Sequence, residues 1–267
     1  MNHFLNFALD VARKAGEQIK KRVHTDNKIE IKQSAFDLVT EVDQDIEKYI
    51  NSQIQSAYPT HFIIGEEDYF SKGNKANLTT LPDYVWYVDP LDGTTNFVHG
   101  LPGYTVSIAL AFKNKVCVGV IYSPETQEMF WAESGKGAFL NDNRIQVSSR
   151  QLLKECVVAT GFPVEASARN ECLNQILAIG PISRNVRSLG SAALHMAYVA
   201  TGRLDGYWES GIHPWDVVAG WFIIQEAGGR ISGLDGASYQ LSNTRILATN
   251  GMIHQEMLDQ LHNPVGS

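Results

Sequence analysis

The sequence predicts a mixed fold, α+β in its first half and α/β in its second, and three patterns carry that prediction. Two stretches of helical periodicity open the chain, β-rich runs joined by short polar turns follow, and beyond about residue 150 strands alternate with helices. Phe4, Ala8, Val11, Ala12, Ala15 and Ile19 recur at helical spacing, as do Ile46, Ile50 and Ile54 with Tyr49 and Ala57 ahead of Tyr58-Pro59. Between these helices, Lys28 to Lys32 alternates polar and apolar residues. After them, Phe62-Ile63-Ile64 reads as a short buried strand ending at Gly65-Glu66-Glu67. Tyr84 to Val88 is a second buried strand, and it leads into Asp89-Pro90-Leu91-Asp92-Gly93-Thr94-Thr95-Asn96.

Tyr104 to Phe112, Val116 to Tyr122 and Met129 to Ala132 read as an antiparallel meander with short connections. Farther on, Cys156 to Ala159 looks like a strand, Ala192 to Ala200 like a helix stopped by Gly202, and Trp215 to Ala227 like a helix stopped by Gly228-Gly229. Ile231, Ile246-Leu247-Ala248 and a last helix from about residue 252 complete an α/β half with a partly parallel sheet. The division is placed at 1–147 and 148–267, and Ser71 to Leu81 is the only extended polar loop.

Composition excludes several classes. Of 267 residues, 44% are hydrophobic and 19% charged, and no uncharged apolar run approaches the ~20 residues that cross a bilayer. An integral membrane protein is not expected. Asp10, Arg13, Lys14 and Glu17 interrupt the apolar pattern of the N-terminus, which is unlike a secretory leader, so a cytoplasmic location is expected. Cys117, Cys156 and Cys172 form no CxxC and no zinc spacing, and read as ordinary core or surface thiols. A net charge of -7 argues against general nucleic-acid binding. The basic group Arg13-Lys14 with Lys20-Lys21-Arg22 reads as the solvated face of the first helix.

Chemistry concentrates where elements end. Asp89 and Asp92, with Pro90 fixing the turn between them, can aim oxygen ligands at one point, which suits a hard cation such as Mg²⁺. Gly93 permits close backbone approach, so amides and the threonine hydroxyls there could hold a phosphate. Asp43, Glu66 and Asp216 also stand beside element ends. Each has a plainer reading: Asp43 and Asp216 as acids at helix N-termini, Glu66 and Glu67 as solvated loop charges, Asp92-Gly93 as a turn. His99 and His213 read as hydrogen-bonding loop residues, Lys32 and Arg187 as phosphate-steering or ion-paired groups, and Trp86, Trp215 and Trp221 as core.

Asp89 to Phe97, Gly65-Glu66-Glu67, Asp37 to Asp43 and Trp215 to Gly220 resemble, in order and spacing, the motifs of the inositol monophosphatase family, Mg²⁺-dependent and typically lithium-sensitive. The resemblance spans essentially the whole chain. It implies a layered α-β-α-β-α sandwich like that of inositol monophosphatases and fructose-1,6-bisphosphatases, with most metal ligands in the first half. By similarity, Glu66, Asp89 and the Leu91 carbonyl bind one Mg²⁺, Asp89, Asp92 and Asp216 a second, and a third, weaker ion sits near Glu66, giving two to three ions per site. Asp43 and Thr94, with Glu66, would activate water. The Gly93 and Thr94 amides would hold phosphate, and Asp92, Ala192 and Glu209 would meet substrate hydroxyls.

The expected activity is hydrolysis of an inositol monophosphate, or another small phosphorylated polyol, by a homodimer. Alternatives inside the superfamily are phosphatases for fructose 1,6-bisphosphate, 3'-phosphoadenosine nucleotides, histidinol phosphate or NADP. An alternative of another class is a regulatory role with RNA or the transcription machinery, reported for some bacterial members. The aspartyl-phosphate route of haloacid-dehalogenase-like enzymes is disfavoured, because that route uses Asp-x-Asp whereas Asp89 and Asp92 are three apart.

Overall fold

The computed structural model describes residues 2–25, 28–31, 38–71, 81–163 and 165–262. In chain order the first half contains α1 (Asn2–Arg22), β1 (Ile29–Ile31), β2 (Leu38–Thr40), α2 (Glu41–Ala57), β3 (Phe62–Gly65), α3 (Glu66–Ser71), β4 (Tyr84–Asp92), α4 (Thr94–Val98), β5 (Thr105–Phe112), β6 (Lys115–Ser123), β7 (Glu128–Glu133), β8 (Gly137–Leu140) and β9 (Asn143–Ile145). The second contains β10 (Val157–Thr160), α5 (Ala166–Ile179), β11 (Asn185–Arg187), α6 (Ala192–Ala200), β12 (Gly206–Ser210), α7 (Pro214–Glu226), β13 (Arg230–Ser232), β14 (Arg245–Thr249) and α8 (His254–His262).

One sheet has seven strands in the order β3-β4-β5-β6-β7-β8-β9, and a second has five in the order β11-β10-β12-β14-β13. In the first, only β3 and β4 are parallel, and the meander from β5 onward is antiparallel as expected. The second is parallel across β11-β10-β12 and antiparallel across β12-β14-β13.

Strand side chains alternate between faces, and here both faces are covered. Trp86 and Val88 of β4, Val106, Ile108 and Leu110 of β5, and Val118 and Val120 of β6 pack with Ala8, Ala12, Ile46 and Ile50 of α1 and α2. Their neighbours Val85, Tyr87, Ala109, Ala111 and Ile121 turn the other way, onto α6 and α7. Those helices are covered in turn by Tyr207, Ile246 and Ala248 of the five-stranded sheet. Trp208 and Leu247 point to its far side, with Ile179 of α5 and Met257 and Leu258 of α8. The layers therefore run helix, sheet, helix, sheet, helix. A helix enclosed between two sheets must be apolar all round, and α7 buries Val217, Val218, Ala219, Phe222, Ile223 and Ile224. Its approach to the sheet requires Gly119, where a Cβ would stand 2.9 Å from the Ala219 carbonyl oxygen.

Several expectations need correction. The strand of the Asp89 motif does not stop at Val88. It continues to Asp92 through a register shift, pairing Asp89 with Ser107 and Asp92 with Thr105. Glu66 and Glu67 open a helix rather than lying in a loop. The helix α5 carries no clear apolar stripe, with Leu173 and Leu177 exposed, which is why its periodicity was not legible. Trp221 is only partly buried, whereas Trp86 and Trp215 are core. All three cysteines are buried free thiols. Lys32, Asp37 and residues 72–80 lie outside the described residues. Among the described residues, no helix is long and apolar enough to cross a membrane.

Candidate functional site

The site is assembled from the end of β4, the starts of five helices, α2, α3, α4, α6 and α7, and the end of β12. Asp89 is 2% exposed, and its Oδ1 accepts the Leu91 N–H at 3.0 Å, which folds the bulge back on itself. Gly93 follows in the left-handed region at φ +96, where a Cβ would stand 2.7 Å from the Gly103 carbonyl oxygen. Thr94 then begins α4. Its hydroxyl lies 2.9 Å from Asp43 Oδ1 and 3.0 Å from the Leu91 carbonyl oxygen, two acceptors for one proton.

Asp43 has its plain reading and more. It is the third residue of α2 and completes a capping box with Thr40, whose N–H donates to Oδ2 at 2.8 Å and whose hydroxyl donates at 2.5 Å. Those bonds spend Oδ2 and leave Oδ1 for Thr94. Asp43 is raised to about 6, chiefly by burial and also by the charge of Glu66, against the lowering effect of the Thr40 and Thr94 bonds.

Asp92 reaches across the chain to the start of α6. Its Oδ2 accepts the Ser191 hydroxyl and the Ala193 N–H, each at 2.6 Å, and Oδ1 accepts the Ala192 N–H at 3.3 Å. The carboxylate thus satisfies the orphan amides of a helix N-terminus. Burial still raises Asp92 to about 6. Asp216 is the third residue of α7, and its Oδ2 accepts the His213 N–H at 2.7 Å. The helix-start reading of Asp216 therefore holds as well. Asp89 and Asp216 are held well above the usual carboxylate range, first by burial and then by the neighbouring charges of Glu66 and Asp92.

Glu209 approaches from β12. The Tyr207 hydroxyl donates to its Oε2 at 2.5 Å, and burial lifts the carboxyl to about 7. Gly161 leaves room for it, because any Cβ at that position would overlap the Glu209 carboxylate.

Glu66, Asp89, Leu91, Asp92, Gly93, Thr94, Ala192, Glu209 and Asp216 line one cavity of about 830 Å³. Asp43 stands behind that wall and reaches the cavity through Thr94. Carboxylate and carbonyl oxygens fit a hard cation, and their mutual repulsion is what a divalent ion would relieve. Among the described residues, no three of these acids close into a preformed cage.

Sequence reading did not single out Phe162, Pro163, Arg169, His195 or Thr244, which also line the cavity. None sits in a motif with a readable chemical pattern, and His195 is hidden inside an apolar helix. Asn96 belonged to the motif without a role. Its Nδ2 lies within 3.0 Å of the Pro102, Gly103 and Leu189 carbonyl oxygens, fastening the segment after β4 to the loop before α6. His213 lines the cavity and stacks on Trp215 at 4.7 Å, whereas His99 and Arg187 do not line it.

A protein-family model described as the inositol monophosphatase family matches residues 1–265. The chain is 40% identical over 262 residues to Nus factor SuhB of Pseudomonas aeruginosa, covering 97% of this chain and 95% of that one. It is 38% identical over 260 residues to human inositol monophosphatase 1, covering 95% and 92%. The solved extragenic suppressor protein suhB of Bartonella henselae superposes with a TM-score of 0.90 at 34% identity, covering 98% of this chain and all of that one (100%).

Proposed function

The chain belongs to the inositol monophosphatase family, a phosphatase family, and from that premise we propose that it hydrolyses the phosphate monoester of a small polyol, an inositol monophosphate foremost. One observation carries the choice of substrate: the half-buried carboxylate of Glu209 faces the same cavity as Thr94 and the acid cluster. A carboxylate there accepts hydrogen bonds from ring hydroxyls, and its charge opposes a second phosphate at that end.

The proposed cofactor is Mg²⁺, two to three ions held by Glu66, Asp89, the Leu91 carbonyl, Asp92 and Asp216. When bound, it supplies Lewis-acid charge that makes water a better nucleophile and stabilises the departing oxygen. The chain supplies the rest. The Thr94 hydroxyl directs its proton to Asp43 Oδ1 and offers its lone pair to the attacking water, so Asp43 is the acceptor at the end of the relay. The amides of Gly93 and Thr94 orient phosphate oxygens. The Ala192 backbone and Glu209 hold the polyol from the side of the second sheet.

Phosphate release measured with Mg²⁺ over inositol, sugar, nucleotide and histidinol phosphates tests the reading. The expected result is highest kcat/KM for an inositol monophosphate, and a flat profile without turnover sinks it. We further propose that 1–147 and 148–267 are halves of one unit sharing this site, and that the protein is a homodimer in the cytoplasm, which sedimentation and fractionation check. A second reading, a role alongside transcription, rests on the relative named Nus factor SuhB. It predicts that cellular function survives Asp92→Asn while turnover is lost.

A further inference from the structure

His195 is fully buried on α6 and is one of the residues lining the cavity, yet it is not among the groups proposed to hold metal, water or phosphate. Its Nε2 accepts the Leu189 N–H at 2.8 Å. An accepting Nε2 carries no proton, so in the neutral ring the proton sits on Nδ1. Burial keeps the ring neutral by pushing it down to about 3. Among the described residues Nδ1 has no hydrogen-bond partner. A buried donor left unpaired is a cost that an apolar residue would remove, so the value of the imidazole lies in what Nε2 and the ring face do.

Nε2 grips the N–H of Leu189 and Asn96 grips the other side, donating to the Leu189 carbonyl oxygen at 2.7 Å. The next residues are Gly190, at φ +86, and Ser191 with Ala192, which contact Asp92. The face of the imidazole stacks on Tyr207, with centroids 5.0 Å apart and planes at 24°. Tyr207 in turn donates to Glu209. One ring therefore touches both arms that approach the polyol: the loop carrying Ala192 and the strand carrying Glu209.

We propose that His195 is a positioning residue for substrate selection, fixing the Ala192 loop against the Tyr207–Glu209 pair through its Leu189 bond and its stack on Tyr207. This rests on the polyol-phosphatase reading above. Its effect falls on recognition of ring hydroxyls rather than on the Asp43–Thr94 pair, because the bond and the stack of His195 go to Leu189 and Tyr207.

The test compares wild type, His195→Phe and His195→Gln on inositol 1-phosphate and on p-nitrophenyl phosphate, which lacks ring hydroxyls. His195→Phe keeps a ring on Tyr207 but loses the acceptor. It is expected to raise KM for inositol 1-phosphate about tenfold, the effect of one net hydrogen bond, while kcat and the KM for p-nitrophenyl phosphate stay within about threefold. His195→Gln, with an acceptor at similar reach, is expected to recover most of the KM. If the Phe variant folds poorly, His195→Asn, too short to reach Leu189, carries the same expectation. Imidazole ¹⁵N spectra of the wild type should show a protonated Nδ1 and an accepting Nε2 that does not titrate between about pH 5 and 8.

Equal losses on both esters, an unchanged KM, or a proton on Nε2 overturn the assignment. A wild-type chain that hydrolyses neither ester overturns the polyol-phosphatase reading instead, and the imidazole spectrum then decides whether His195 holds Leu189.

Discussion

Asp43 Oδ1 and Thr94 Oγ1 stand 2.9 Å apart although 51 residues separate them in the chain. The contact is set by two helix starts: the capping box of α2 fixes Asp43 by its other oxygen, and Gly93 turns the chain so that Thr94 opens α4 toward it. Both side chains are held by hydrogen bonds on more than one side, which is what the proposed proton relay requires.

Removing the acceptor should therefore affect the chemical step. Asp43→Asn is expected to lower kcat by about 10²- to 10⁴-fold with little change in KM, the range for loss of a general base. Thr94→Ala should behave alike, and the double variant should lose little more than either single one. Additive losses in steady-state kinetics would separate the two residues.

The same pair predicts a pH limb. Asp43 is raised from 3.8 to about 6 in the folded chain, so it is charged above that pH and loses the proton-accepting form as pH falls through it. The kcat/KM profile should descend on the acid side near pH 6, moving lower as Mg²⁺ beside Glu66 favours the charged form. Asp43→Asn should abolish that limb, leaving a residual rate without it.

Stability without metal should rise on mild acidification. Asp43 and Asp92 are raised to about 6 and Glu209 to about 7, and Asp89 and Asp216 are raised too, so between about pH 7 and 4.5 the folded chain binds more protons than the unfolded one. The cost of crowding these carboxylates is full above that window and is relieved as pH falls through it. His195 and His254, lowered to about 3 and 4, oppose the trend but are fewer. Thermal melts after chelation should show Tm higher at pH 5.5 than at 7.5. Mg²⁺ at about 100 times its Kd should add about 2.7 kcal/mol at pH 7.5. Asp89→Asn should raise the metal-free Tm at pH 7.5 while abolishing turnover.

Selectivity should depend on a glycine outside the motifs. A Cβ at residue 161 would overlap the Glu209 carboxylate, so Gly161→Ala must displace it. The expected outcome is a loss of kcat/KM for inositol 1-phosphate of about tenfold or more, with p-nitrophenyl phosphate little affected, and Glu209→Gln should reproduce that pattern. Parallel losses on both esters would assign Gly161 to folding instead.

Much of the fold was legible because its driving pattern is local. The helical spacing of Ala8, Val11, Ala12 and Ala15, the β-rich runs of the meander, and the glycines after α6 and α7 each report a period or a stop that neighbours in sequence set. The helix α5 escaped because its burial is shared with α8 and the outer face of the second sheet, which leaves Leu173 and Leu177 exposed and blurs the stripe. The end of β4 escaped because a bulge carries no composition of its own.

Residue type and spacing alone mark the ingredients of the candidate site: Asp89, Asp92, Gly93 and Thr94 in one short run, and Glu66, Asp43 and Asp216 beside element ends. How they meet is set by packing between distant segments. It sends Asp92 across to the amides of α6, keeps Asp43 behind Thr94, and makes Gly161, Asn96 and His195 part of the same cavity. The reason is physical. A spacing of three residues reports what one turn of backbone can bring together, whereas contacts spanning about a hundred residues, such as Asp92 with Ala193, exist only after two sheets have closed over the helices between them.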